Sequence, residues 1–399
     1  MKRDKFLIFK LLNFYIVAIS MATVLTLSGC IEEYEADIPS EDSNLLVVEG
    51  AICSGQMNKF ILSYTLPVNQ RYTNITQHLV TGAKVSVRGS DGSEYTLQEA
   101  NGAYTCQIGD LNPDVTYYLH IETGGEVYES VPQKPLRTEK IEEVTVVQET
   151  QQSNIDILVT PEAPFDASKI NYYSWSYDET WEVHPDYTTV IYFDIKTMMP
   201  VYDPNQFPLR GWKNVSGTNI LVSSSTSYEG QHIRKVKMYD IDRGNERMYY
   251  KYSGLIHQRA ITKAEYEYEL ARRQASSEMG GLFTPLPSAL PTNIRCLTSS
   301  KHVIGYVGCS LNTSEHRFFL KQTDYSIDRP YRKDARTWLM DCNLGDCYRM
   351  VKEEGMYLCE WKDERDRPGG KLQTAWAYDH QLDVRLKGAT DVKPDFWED

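Results

Sequence analysis

The sequence predicts a mainly β protein, and three observations lead there. Among its 399 residues are 28 tyrosines, and short Val/Ile/Thr/Tyr runs recur along most of the chain, a composition that suits pleated, half-buried surfaces. Gly82-Ala-Lys-Val-Ser-Val-Arg88 alternates apolar and polar residues, so one of its faces is buried. Asp91-Gly92, Asn101-Gly102 and Gly124-Gly125 punctuate the early runs with hairpin turns, as in small sandwiches built from many short strands. The expected architecture is an N-terminal immunoglobulin- or transthyretin-like β-sandwich over residues 44–138. A larger β-rich domain over 139–399 follows, with one inserted helix at about 262–275.

Ahead of these elements lies a segment that is not part of the fold. Lys2, Arg3 and Lys5 precede an apolar run from Leu11 to Leu27, which closes with Leu27-Ser28-Gly29-Cys30. A basic start, an apolar stretch and small residues before a cut form a secretory signal, and Cys at the first position after the cut resembles the bacterial lipoprotein signal. Residues 1–29 are therefore expected to be removed and Cys30 to carry the lipid, palmitate among its acyl chains. A plain transmembrane anchor is the alternative, since about 17 apolar residues just span a bilayer; it has no use for the Leu-Ser-Gly-Cys ending. Residues 30–43 contain Glu32, Glu33, Glu35 and Asp37 and read as a solvated, self-repelling tether. An acidic patch at this place also resembles the surface-export signal of Bacteroidota lipoproteins.

Removing the four basic residues and one acid of residues 1–29 from the 42 Lys/Arg and 55 Asp/Glu leaves 38 and 54, a net charge of −16. Such a surface disfavours nucleic acid and anionic lipid as partners. Within the sandwich, strands are expected at 45–52, 59–64, 82–88, 94–97, 103–106, 116–121 and 126–130. Val131-Pro-Gln-Lys-Pro-Leu-Arg137 supplies a boundary. Beyond it, strands are expected at 141–147, 155–160, 171–177, 178–184 and 190–194. Thr262 with Glu265 three residues later is a capping box, Tyr266 and Leu270 line one helical face, and Gly280-Gly281 ends the helix.

Seven cysteines follow Cys30, which fits an oxidising compartment. Cys53 and Cys106 are candidates to staple two strands. Cys342 and Cys347 close a tight loop and are candidates to pair with each other, or with Cys309 or Cys359. Neither a Cys-x-x-Cys nor a close His pair is present, so disulfides are favoured over a metal site. No nucleophile elbow, zinc-protease motif, phosphate loop or dinucleotide fingerprint occurs, and no cofactor is expected. Asp240-Ile-Asp-Arg-Gly-Asn-Glu246 lacks the ligand spacing of a calcium loop and reads as a strand-end turn. Glu179 and Glu182 can be drawn as an acid/base pair for glycoside hydrolysis, although an alternating strand accounts for them better. Trp175, Tyr177 and Trp181 belong to a dense aromatic window and are candidate ligand contacts, with ordinary packing as the competing account.

Read in order, several stretches resemble a family of uncharacterised Bacteroidota lipoproteins catalogued as domain of unknown function 4249. They include Leu46-Val-Val-Glu-Gly50, Gly82-Ala-Lys-Val85, Gly102-Ala-Tyr104, Tyr177-Asp-Glu-Thr-Trp-Glu182, Gly281-Leu-Phe-Thr-Pro-Leu-Pro287, Arg317-Phe-Phe319 and Lys393-Pro-Asp-Phe-Trp397. Departures are Val384 near the family's late Cys and Gly388-Ala389 in place of its glycine pair. The resemblance implies an outer-membrane lipoprotein, often beside a TonB-dependent transporter, and carries over no catalytic residue. The expected function is that of a non-enzymatic, surface-exposed lipoprotein, anchored in the outer membrane through Cys30 and accessory to such a transporter in nutrient capture. The alternative is a structural or adhesive envelope module that binds other proteins.

Overall fold

A computed structural model describes residues 45–65, 78–275 and 290–398; Cys30 and the acidic tether lie outside them. The described chain starts with β1 (Leu46–Glu49) and β2 (Ala51–Cys53), separated by Gly50. Gly50 has φ +144°, and a Cβ there would lie 2.5 Å from the Phe60 ring and 2.7 Å from the Lys59 carbonyl, so only glycine permits this bend. Then come β3 (Met57–Tyr64), β4 (Lys84–Gly89), β5 (Glu94–Thr96), β6 (Gln98–Ala100), β7 (Ala103–Gln107), β8 (Tyr117–Thr123) and β9 (Glu126–Ser130). Asn101 (φ 54°) with Gly102 (φ 76°), and Gly124 (φ 58°) with Gly125 (φ 79°), are two-residue hairpins with both central φ values positive. That geometry matches strand twist and explains the Asn-Gly and Gly-Gly choices.

The second region brings β10 (Ile141–Val147), β11 (Ile155–Pro161) and β12 (Tyr172–Val183), followed by β13 (Ile191–Asp194), β14 (Met199–Tyr202), β15 (Gly211–Ser216), β16 (Leu221–Ser224), β17 (Val236–Ile241) and β18 (Lys251–Ala260). The two strands expected at 171–177 and 178–184 are one twelve-residue strand, β12. The helix α1 (Lys263–Ala275) appears where expected. Its capping box is only half made: the Glu265 N–H donates to Thr262 Oγ1 at 3.1 Å, while the Glu265 carboxylate turns to Arg259. Glu265 and Tyr268, rather than Tyr266, are its buried residues.

After α1 come β19 (Ile294–Cys296), β20 (Val303–Gly305), β21 (Gly308–Ser310) and β22 (Ser314–Lys321), then β23 (Thr337–Leu339), α2 (Leu344–Lys352), β24 (Tyr357–Asp363), β25 (Leu372–Ala377) and the short α3 (Asp379–Leu382). Among the described residues two further helices thus accompany α1, the one helix expected. Asn343 caps α2 by accepting from the Asp346 N–H at 3.0 Å, and the Asp346 carboxylate accepts from the Asn343 N–H at 3.0 Å. The presumed loop between Cys342 and Cys347 is this helix start.

The protein is mainly β and opens with a β-sandwich. One five-stranded sheet runs β20-β1-β3-β7-β6 and the other β19-β9-β8-β4-β5, with Phe60, Leu62, Tyr104, Val87, Leu119 and Ile121 fully buried among their core residues. The sandwich needs more than residues 44–138. β20 pairs in parallel with β1, β19 pairs antiparallel with β9, and β21 pairs in parallel with β2, so the second region sends strands back to complete it. A second core lies between the β10-β11-β17 sheet and the β15-β12-β18-β22 sheet. A third, smaller core gathers around Trp376, Met350, Cys347 and Leu358 under the β23-β25-β24 sheet. The closing Phe396-Trp397 clamps the body: Trp397 is buried and meets Trp212 and Phe319 edge-on at 6.3 and 6.0 Å. Among the described residues no helix is long and apolar enough to cross a membrane.

Candidate functional site

β12 decides where most of the aromatic residues point. Tyr173, Trp175, Tyr177, Glu179, Trp181 and Val183 alternate along it and are all buried, as expected for a strand whose odd-numbered face lies against a second sheet. Tyr177 stacks on Tyr239 at 4.0 Å, and the Trp175 indole N–H donates to Gln258 Oε1 at 2.9 Å. The three candidate contact aromatics Trp175, Tyr177 and Trp181 are therefore core residues, with exposures of 3, 7 and 6%; burial between two sheets leaves them no open platform.

The carboxylates behave likewise. Glu179 accepts both oxygens' worth of bonding from Arg247 Nη1 (2.6 and 2.7 Å) and a bond from the Tyr252 hydroxyl (2.8 Å), and the Tyr252 hydroxyl also meets that of Tyr239 at 2.7 Å. This network is buried and internally paired. Glu182, three positions on, lies on the opposite side of the strand, where its Oε1 is 2.5 Å from His184 Nε2. The two carboxylates do not face a common space.

Cys53, Cys106, Cys342 and Cys347 are free thiols, as are Cys296, Cys309 and Cys359. A Cys53–Cys106 staple is not formed: buried Cys53 sits on β2 beside β21 and Cys309, and Cys106 donates to the Gln107 carbonyl at 3.4 Å. Cys342 and Cys347 are within hydrogen-bonding reach of each other, and burial pushes the Cys347 thiol up to about 12. Among the described residues no group of three or more His, Cys, Asp or Glu is placed to hold a metal ion. Asp240 lies within β17, and the strand runs out at Ile241 into a turn in which Asp242 Oδ1 accepts from the Gly244 N–H at 2.7 Å.

Two clefts remain. One, of about 420 Å³, runs along the seam between β2, β12, β18 and α1 and touches Cys53, Trp175, His257, Arg259 and Glu265. Most of its charged groups pair with one another: His257 bridges Asp178 at 2.9 Å and Glu315 at 3.0 Å, and Arg259 Nη2 pairs with Glu265, while the buried Arg259 Nη1 has no hydrogen-bond partner. It is a polar joint between sandwich and second core.

The other cleft, of about 390 Å³, is built from four separate segments: Glu182–Asp186 at the end of β12, Glu246–Tyr250 before β18, Arg329–Arg332 and Lys387. Asn245 caps a short turn, Glu246–Met248, that delivers Tyr249 and Tyr250. The Asp186 and Tyr187 N–H groups donate to the Gln381 carbonyl at 2.8 and 3.2 Å, fixing the far wall. His184 stacks on Tyr250 with 3.7 Å between ring centres. Arg329 lies over Tyr250 at 4.7 Å and Tyr249 at 5.3 Å, and its Nη2 donates to the Tyr250 hydroxyl at 2.6 Å. Tyr331 is 91% exposed at the rim.

Charge in this cleft is matched with one exception. Asp186 takes Arg332 and Lys387 (2.8 Å), and Glu246 takes Lys213 at 2.8 Å. Hydrogen bonding to His184 holds the Glu182 carboxyl below its ordinary value. Arg329 is held by two tyrosines, and among the described residues no carboxylate lies within ion-pairing distance of it. A guanidinium oriented by aromatic rings with an open donor edge is suited to an incoming anion. Sequence reasoning missed this site. The only local signals were the Tyr249-Tyr250 doublet and the basic-aromatic stretch Arg329-Pro-Tyr-Arg332.

Against known proteins, the family profile described as "Domain of unknown function (DUF4249)" matches residues 31–316. No curated protein matches. Among solved structures, a two-domain fibronectin type-III segment from chicken tenascin is similar at 13% identity, covering 54% of this chain and 90% of that one with a TM-score of 0.14. The sandwich assignment rests on the sheets of this chain.

Proposed function

The chain belongs to the DUF4249 family, and from that premise we propose that it is a non-enzymatic lipoprotein anchored in the outer membrane through Cys30 and exposed at the cell surface. In this reading it assists a TonB-dependent transporter by capturing a nutrient. The observation that carries the reading is the order of parts: Leu27-Ser-Gly-Cys30, an acidic tether, then one compact unit from Leu45 onward. A lipidated cysteine holds the protein to a membrane, and the self-repelling tether lets the body stand off from it. The tyrosine-and-arginine cleft provides the body with a place to hold a small ligand.

The experiment is gentle solubilisation of native membranes, recovery of the full lipidated chain by a C-terminal tag, and mass spectrometry of stoichiometric partners. A co-purifying TonB-dependent barrel is the expected result. Recovery alone, or with adhesin or assembly components, overturns the uptake role in favour of a structural envelope module.

A further inference from the structure

We infer that the cleft beside β12 binds a sugar acid, with the ligand carboxylate seated on Arg329. The inference rests on reading this cleft as the capture site, and it adds the chemical class of what is captured.

The argument starts from Arg329. Its guanidinium lies over Tyr249 and Tyr250 and donates to the Tyr250 hydroxyl, contacts that orient this exposed side chain toward the cleft wall before any ligand arrives. The nearby cations are committed: Arg332 and Lys387 to Asp186, Arg243 to Asp328 at 3.2 Å. Among the charged groups that line this cleft, a preoriented arginine without a carboxylate partner is the exception that a ligand anion would resolve. A planar carboxylate matches the guanidinium edge with two parallel hydrogen bonds.

The rest of the wall selects the body that carries the carboxylate. Apolar side chains contribute little, chiefly Val183, Pro185 and Pro330, so the site has no pocket for the hydrophobic side chains that usually anchor a peptide. Glu182 and Glu246 supply acceptors for hydroxyl donors, and Tyr331 presents an exposed ring at the rim against which the apolar face of a sugar can rest. At about 390 Å³ the cleft is at the small end of ligand sites, enough for one or two sugar units of a chain that leaves through the open side.

The test uses the full lipidated protein in detergent micelles and isothermal titration calorimetry. The probes are digalacturonate, diglucuronate and dimannuronate, the methyl ester of each, and triglycine as a free peptide carboxylate. The expected result is saturable binding of at least one uronate, with at least tenfold loss on esterification and at least tenfold loss in Arg329→Gln. Arg329→Lys should keep part of the affinity, since it retains charge but loses the paired geometry. Thermal melting of each variant reports folding separately, and Arg329 is a surface residue whose removal leaves the cores intact.

No binding by any uronate overturns the inference. So does equal binding of acid and ester, or affinity unchanged in a folded Arg329→Gln protein. Triglycine binding that depends on Arg329 in place of uronate binding replaces the sugar acid with a peptide terminus. Uronate binding by purified protein needs no transporter, so this inference and the uptake role fail in separate experiments.

Discussion

The buried Glu179–Arg247 pair gives the most direct check on the account of β12. Replacing Arg247 with Met leaves a carboxylate of 4% exposure facing one remaining donor, the Tyr252 hydroxyl at 2.8 Å. Removing one partner of a buried ion pair costs about 3–5 kcal/mol. The Arg247 side chain keeps 25% of its surface in water, so the expected cost is at the lower end, about 3 kcal/mol. Glu179→Leu alone strands a guanidinium that can still reach solvent and should cost about 2 kcal/mol. The double variant Glu179→Leu/Arg247→Met removes both charges and refills the space with apolar atoms, so it should cost no more than about 2 kcal/mol. The coupling energy is then about 3 kcal/mol, well above what independent sites show. Urea unfolding followed by both tryptophan fluorescence and circular dichroism measures it. Additivity within about 0.5 kcal/mol would refute the claim that Glu179 is held by this pair, and would return it to the pool of residues free to do chemistry.

Two further outcomes follow from the C-terminal third of the chain. With oxidised glutathione as acceptor, Cys342 and Cys347 should form a disulfide, their two protons and two electrons passing to the glutathione pair; peptide mapping after alkylation should find them linked and Cys53 and Cys106 alkylated. The reaction should be slow, because burial keeps the Cys347 thiol protonated, and closing so short a loop should add about 2 kcal/mol of stability. Trp397→Ala removes a buried ring packed against Trp212 and Phe319 and should cost about 3 kcal/mol, read as a lowered urea midpoint; an unchanged midpoint would mean that the terminal clamp holds nothing.

What the sequence revealed and concealed divides along one physical line. Features carried by neighbours in the chain were legible: the buried Val85 and Val87 of β4, although Ser86 between them is buried as well, the positive-φ turns at Asn101-Gly102 and Gly124-Gly125, and helix α1 from its capping residue. Where local signals were misread, the information was present but the context was lacking. Asn343 and Asp346 form a full capping box at the start of α2, which passed as a loop because two cysteines nearby drew a disulfide reading. Their placement explains the contact between those cysteines: residues just before the cap and one turn into a helix pack together as a hydrophobic staple, and here Cys342 and Cys347 occupy those positions. Features made by distant segments were not legible. The return of β20 and β21 to β1 and β2 joins residues 257 positions apart in register, and β19 meets β9 across at least 164; nothing in a short run of Val and Gly announces a parallel partner. The same holds for the cleft. An aromatic strand such as β12 advertises itself by density, yet that density serves the core on one face. The open guanidinium depends on Tyr249 and Tyr250 arriving from the turn between β17 and β18 and Arg329 from the loop after β22, with Asp186 occupying the competing cations. A ligand site of this kind is defined by which charges are left unmatched after folding, a property that exists only once every other pair has been made.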